Sequence, residues 1–302
     1  MSTHYPRIRI RAKNGYLLVR EGLTFTFYIR RSHEGISQYI SRSLEAYLHA
    51  VGTTALGLYA DEEGDWQLLD EAGWAVIRKE LNDPCSAHIH LIDASSTEQS
   101  HRFIYQGRHL ETPFLASQPG ATSAVSFWLP TEYLEQHGPG RVRDLALEVA
   151  SSLPFCSGNA GLSFNCATGL VGMPGEAHKL RFRYPGMDVP DVSWVSLHIG
   201  TRVRGPSWLT FLGQPVLGEL GGASGLRARL HHPETTVQEL AGDRAVVTLG
   251  PWPEAGDTEQ GHVLPSYREL ARVLEPWLHH EPHLHASQPI EDTRRWERRF
   301  LD

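Results

Sequence analysis

RFRYPGMDVPDVSWVSLHIGTRVRGPSWLTFLGQPVLGELGG, residues 181–222, is the stretch from which the fold is read. Phe182, Tyr184, Trp194, Trp208 and Phe211 stand between glycines and prolines, a density of packing and backbone demands met nowhere else in the chain. Tyr184-Pro185-Gly186 reads as a turn, because Pro185 restricts Tyr184 to extended backbone and Gly186 is free to take positive φ. Ser207 to Gly213 sets Trp208, Leu209, Phe211 and Leu212 beside a breaker, the pattern of a segment entering a core. Gly221-Gly222 fits a tight turn. The whole stretch is scaffolding.

Toward the N-terminus, Leu17 to Val19 and Thr24 to Ile29 suggest two strands of a half-buried hairpin around Glu21-Gly22, with Phe25, Phe27 and Ile29 alternating against Thr24, Thr26 and Tyr28. Helical spacing of Ile36, Ile40, Leu44, Tyr47, Leu48 and Val51 predicts a helix from Glu34, capped by Ser32 and ended by Gly52. A strand over Thr54 to Tyr59, a helix capped by Asp70 and running to about Leu81, and strands at His88 to Ile92 and Arg102 to Tyr105 follow. After a loop at Glu111 to Thr122, the order strand, helix, strand recurs at Ala124 to Leu129, Arg141 to Leu153 and Gly161 to Cys166. The recurrence resembles an internal duplication, although any two helix-strand units look alike. Toward the C-terminus, strands are expected at Leu226 to Leu230, Thr236 to Leu240 and Arg244 to Leu249, then helices at Pro265 to Leu278 and Arg294 to Phe300. The expected class is α+β, with mixed, largely antiparallel sheets and helices on their faces. Residues 1–302 are expected to form one domain, with sub-units 1–115 and 120–302 as the place where it would divide.

A chain of 302 residues with 40% hydrophobic content can bury a full core. Its net charge of -7 disfavours phosphate backbones and anionic membranes, and a basic partner suits it better. Three cysteines without CxxC spacing suggest neither disulfide framework nor thiolate metal site, and no apolar run reaches membrane-spanning length. The N-terminus lacks the uninterrupted apolar run of a signal peptide, so the chain is expected in the cytoplasm.

Motifs for chemistry are missing. Ser224 has Leu226 where a GxSxG elbow needs glycine, no GxGxxG or P-loop occurs, and His280-Glu281-Pro282-His283-Leu284 fails HExxH at both Pro282 and Leu284. His88 and His90 share one face of a strand, and His279, His280, His283 and His285 crowd one segment, but neither group has carboxylates at ligand spacing. Cys156 and Cys166 flank a Gly/Asn turn and read as buried structural thiols. No catalytic residue, metal or cofactor is assigned. The surface feature that stands out is Asp61-Glu62-Glu63-Gly64-Asp65-Trp66, continued by Asp70-Glu71: a solvated turn, or an acidic patch with a Trp anchor for a basic protein surface.

RYPGMDV within residues 181–189 and SWLTFLGQPVLGELGG at 207–222 resemble the signature of the type VI secretion immunity family of proteobacteria, and the N-terminal strands, the first helix and PWPEAGD at 251–257 fit the same pattern. The resemblance implies a cytosolic antitoxin, monomer or small homo-oligomer, that binds a cognate type VI effector, often a restriction-endonuclease-like DNase, and neutralises it by occluding its active site. It implies structural roles for Tyr184, Pro185, Gly186, Asp188, Trp208, Phe211, Gly221 and Gly222, since contact residues must vary with the toxin. Asp61, Glu62, Glu63, Asp65, Trp66, Asp70 and Glu71 are the candidate toxin contacts. The rival readings are a metal-dependent hydrolase using His88 and His90, and an assembly protein.

Overall fold

Arg9–Arg11 (β1) pairs with the first residues of a thirteen-residue strand, Leu17–Ile29 (β2). The computed structural model describes residues 4–94, 100–166, 175–281 and 290–302. The hairpin expected around Glu21-Gly22 is therefore one continuous strand. Gly22 sits there for lack of room, not for a turn: a Cβ on it would lie 2.2 Å from the Asn165 Nδ2 and 3.0 Å from the Leu129 carbonyl.

Helix Ser37–Val51 (α1) follows a single 3-10 turn at His33–Gly35. The Ser32 hydroxyl does not cap it; it bonds the Leu110 N–H and Glu111 instead. Strands Leu58–Ala60 (β3) and Trp66–Leu68 (β4) form a hairpin leading into Glu71–Leu81 (α2), then Ala87–Ile92 (β5) and Arg102–Gly107 (β6). The strand at 54–59 is thus shorter and later than its composition suggests. A short helix, Pro113–Ala116 (α3), lies inside the segment read as loop. Ser123–Pro130 (β7) leads directly into Thr131–Ser152 (α4), ten residues before the start expected at Arg141. Gly138, at φ 76° and ψ 165°, kinks α4 ahead of Pro139, and those breakers disguise its first half. Ser157–Cys166 (β8) is a strand throughout, so Cys156 and Cys166 bracket β8 and not a turn.

Gly175–Arg183 (α5), Val192–His198 (α6) and Leu209–Leu212 (β9) lead to Val216–Glu219 (α7) and Gly222–Arg227 (α8). Leu226 to Leu230, read as a strand, begins in α8; its apolar run is too short to distinguish the two periods. Thr235–Leu240 (β10) and Arg244–Leu249 (β11) form the expected hairpin, and Pro265–Leu274 (α9) and Ile290–Glu297 (α10) complete the chain.

One 11-stranded sheet results, in the order β10-β11-β9-β8-β2-β7-β6-β5-β3-β4, with β1 on β2. The named strand pairs are all antiparallel, so the class is α+β. The two recurring units interleave. β2 pairs with both β7 and β8, so the first strand of one unit lies between the two strands of the other, while β7 stands between β2 and β6. The sheet runs unbroken past residues 111–122. Helices α1 and α4 bury Ile40, Leu44, Tyr47, Val142, Leu145 and Val149 against Phe25, Phe27, Val125 and Phe127. The opposite face is buried too: Tyr28, Ile104 and Ala124 pack with Val192 and Val195 of α6 and with Ile199 just after it. A third cluster gathers α7, α8 and α9 around Leu212, Ala245 and Val247.

Candidate functional site

At the far end of the sheet, β3 and β4 carry the acidic run. Asp61 builds the turn: its Oδ1 accepts the Asp65 N–H at 2.8 Å, its Oδ2 accepts Gln67 Nε2 at 2.7 Å, and its backbone bonds Asp65 O and Gly64 N. Gln67, first among these donors, holds the Asp61 carboxyl below its ordinary pKa. Gly64, at φ 88°, completes the turn. With Asp61 holding the turn, Glu62, Glu63 and Asp65 are left exposed, with no side-chain ion pair or hydrogen bond among the described residues. Asp70 caps α2 through Oδ1 to the Gly73 N–H at 3.0 Å, and Glu71 adds negative charge where the helix start favours it. Between Asp61 and Asp83 eight carboxylates face only Arg78 and Lys79, a net -6 within a chain of net -7.

β4 is the outermost strand, exposed along its whole length. Trp66 is 42% and Leu68 70% exposed, and their two-residue spacing puts both on the face opposite Gln67. Trp66 rests edge-on against His90, with ring centroids 5.0 Å apart. Burial, with Arg102 as the lesser cause, pushes the His90 imidazole down to about 3, so the ring is neutral near pH 7 and serves as a platform for Trp66. His88 is exposed and bonds Gln106 Oε1 through Nδ1 at 2.9 Å. Leu68 and the support from His90 escape a reading of the sequence for charge, although the alternation Trp66-Gln67-Leu68 marks an apolar face.

The second histidine group is scattered. His279 is buried and pushed down to about 3, chiefly by desolvation; it lines a cavity of about 90 Å³ with Arg181, Arg204 and Arg299. His280 bonds Glu297 at 3.0 Å, and His283 and His285 lie outside the described residues. Among the described residues no three of His, Cys, Asp or Glu come together as a metal site. Desolvation raises both the Cys156 and Cys166 thiols, the latter to about 12, which suppresses thiolate chemistry.

The motif residues occupy another region. The Gly186 N–H donates to the Ala255 carbonyl at 2.8 Å, and Arg183 grips Asp257 bidentately at 3.0 and 2.8 Å, so residues 183–189 and 251–257 meet. Gly186 does not adopt positive φ; a Cβ there would lie 2.0 Å from the Glu254 carbonyl, so close approach is its constraint. Tyr184, beside Pro185, is buried, Asp188 Oδ1 lies 3.8 Å from Arg204 Nε, and Trp208 donates from Nε1 to the Gly250 carbonyl at 3.0 Å. Phe211 packs edge-on against Phe27, and Gly221 and Gly222, at φ 84° and 72°, open α8.

The sequence model of the TsiV family, described as type VI immunity for VRR-NUC, matches residues 39–300. The chain belongs to this family. The resemblance read from residues 181–222 is thereby confirmed, and the matched range takes in both the acidic hairpin and the packed motif segments. No curated protein matches the chain. Among solved structures, the Pseudomonas aeruginosa T6SS protein PA0821 is similar at 19% identity with a TM-score of 0.81, covering 97% of this chain and 87% of that one. At that identity the likeness speaks for the fold. TsiV membership gives the function class as type VI immunity. No described helix is long and apolar enough to cross a membrane.

Proposed function

We propose that this chain protects the cell that makes it by binding a VRR-NUC effector of type VI secretion in the cytoplasm, by contact and without catalysis, so that DNA cannot reach the effector's active site. Residues 1–302 act as one unit, monomeric or a small homo-oligomer until the effector arrives. The family match over residues 39–300 carries this reading. The charge distribution supports it: a nuclease must attract phosphate, and a surface that does so is drawn to the carboxylates of residues 61–71. Trp66 and Leu68 supply apolar anchors beside those charges. An interface of standard size, about 1,600 Å², would extend well beyond the hairpin.

The test is co-expression with a VRR-NUC type VI effector from the same cell, scoring survival and then co-purification. Survival with a stable complex is expected; death despite soluble expression of both, with no complex, overturns the reading. Within a complex, Glu62→Lys, Glu63→Lys and Asp65→Lys together should slow association about 10-fold or more at low salt, an effect that shrinks as salt rises. Unchanged association kinetics would remove the hairpin from the interface.

A further inference from the structure

We propose that the effector adds a β-strand to β4, laying an extended segment rich in Lys or Arg along this free edge of the sheet; the proposal rests on the immunity reading above. The backbone alternation decides which groups are on offer. Asp61 N bonds Asp65 O, Leu69 N bonds Gly57 O, and Tyr59 stands opposite Gln67 midway between them. Gln67 therefore turns its N–H and C=O toward β3, and Trp66 and Leu68 turn theirs outward. The Leu68 carbonyl is crowded by the first turn of α2, where a Cβ on Gly73 would come within 2.5 Å of it. The N–H and C=O of Trp66 and the N–H of Leu68 remain as an acceptor edge for an incoming strand.

Three further observations favour a strand as the occupant, and a basic one. The edge is rigid at both ends, closed by the Asp61 turn on one side and the Asp70 cap on the other. Carboxylates bracket it, with Glu62, Glu63 and Asp65 before β4 and Asp70 and Glu71 after it. The opposite edge of the same sheet is blunted, because the Arg227 guanidinium donates from Nε and Nη2 to the Val237 carbonyl of β10 at 3.2 and 3.1 Å. One edge is closed by a side chain, and among the described residues the other is left open where the negative charge gathers.

Hydrogen exchange on the complex of the full chain with the VRR-NUC effector it protects against tests this. The Trp66 and Leu68 amides should exchange fast in the free chain and at least 10-fold more slowly in the complex. Leu68→Pro, which removes an outward donor and no bond to β3, should weaken the complex at least 10-fold more than Leu68→Ala does. If the pair forms and both amides keep their free-chain rates, strand addition is wrong while the immunity reading stands. If no complex forms, both fail. Should Leu68→Pro prevent folding, the exchange rates of the unaltered chain still decide.

Discussion

The two edges of this sheet are finished by opposite means, although each is the outer strand of a hairpin. At β10, α8 packs alongside and Arg227 occupies an outward carbonyl while its Nη1 pairs with Glu239 at 2.9 Å, so the edge has little left to offer another strand. At β4 the first turn of α2 crowds the Leu68 carbonyl, but among the described residues no side chain occupies the outward groups of Trp66; the strand is short, exposed on both faces, and framed by carboxylates that repel a second copy of itself. Edges are protected either by occupying their hydrogen-bonding groups or by charging them against the wrong partner. Occupation excludes every strand, whereas charge excludes acidic ones and admits basic ones. On the proposal above, that difference makes β4, and not β10, the edge that selects a partner.

The comparison can be broken most decisively at Trp66. Trp66→Ala should cost the effector complex about 2 kcal/mol, roughly 30-fold in affinity, while leaving thermal stability of the free chain within about 1 kcal/mol. Calorimetric titration of the pair, with Val237→Ala as a β10 control that leaves affinity unchanged, reads this directly. Asp70→Ala removes the cap that fixes the end of β4 and should destabilise the chain by about 1 kcal/mol in chemical denaturation. Arg227→Ala should cost less than about 1 kcal/mol, as an exposed pair does, but uncover the Val237 carbonyl. Self-association should then rise in sedimentation runs, and an unchanged monomer would show that α8 alone closes that edge.

A separate effect concerns acid. His90 is held neutral, with its pKa pushed down to about 3, whereas the unfolded chain's imidazole protonates near its ordinary pKa of 6.5. The unfolded chain thus binds the extra proton between those values, so stability is full above about pH 6.5 and falls as pH drops toward 3. His279 contributes in the same direction. His90→Phe keeps a ring under Trp66 and removes one titration, so denaturation midpoints measured across that window should fall less steeply with acid. An unaltered slope would mean that His90 is solvated when charged.

Much of the fold was legible where periodicity and turn chemistry agreed. The helix spacing from Ile40 to Val51, the Asp70 cap and the β10–β11 hairpin, with Asp243 at φ 53° after Gly242, all follow from local residues. The misreadings share a cause: a residue placed for tertiary reasons looks like local punctuation. Gly22 makes room for Asn165, yet reads as a turn; Gly138-Pro139 kinks a helix whose spacing is read only from Arg141 onward. The candidate site divides the same way. Its charge was plain from Asp61 to Glu71, because charge is composition. That β4 would be the last strand in the sheet was not, because an edge is a property of topology.

The interleaving of the two units also sets an order of events during synthesis. β2 emerges from the ribosome early, but its partners at Ser123–Pro130 and Ser157–Cys166 emerge far later. Until Cys166 is made, the central strand waits with an unpaired edge. The central strand therefore cannot gain both neighbours until over half of the chain has been made.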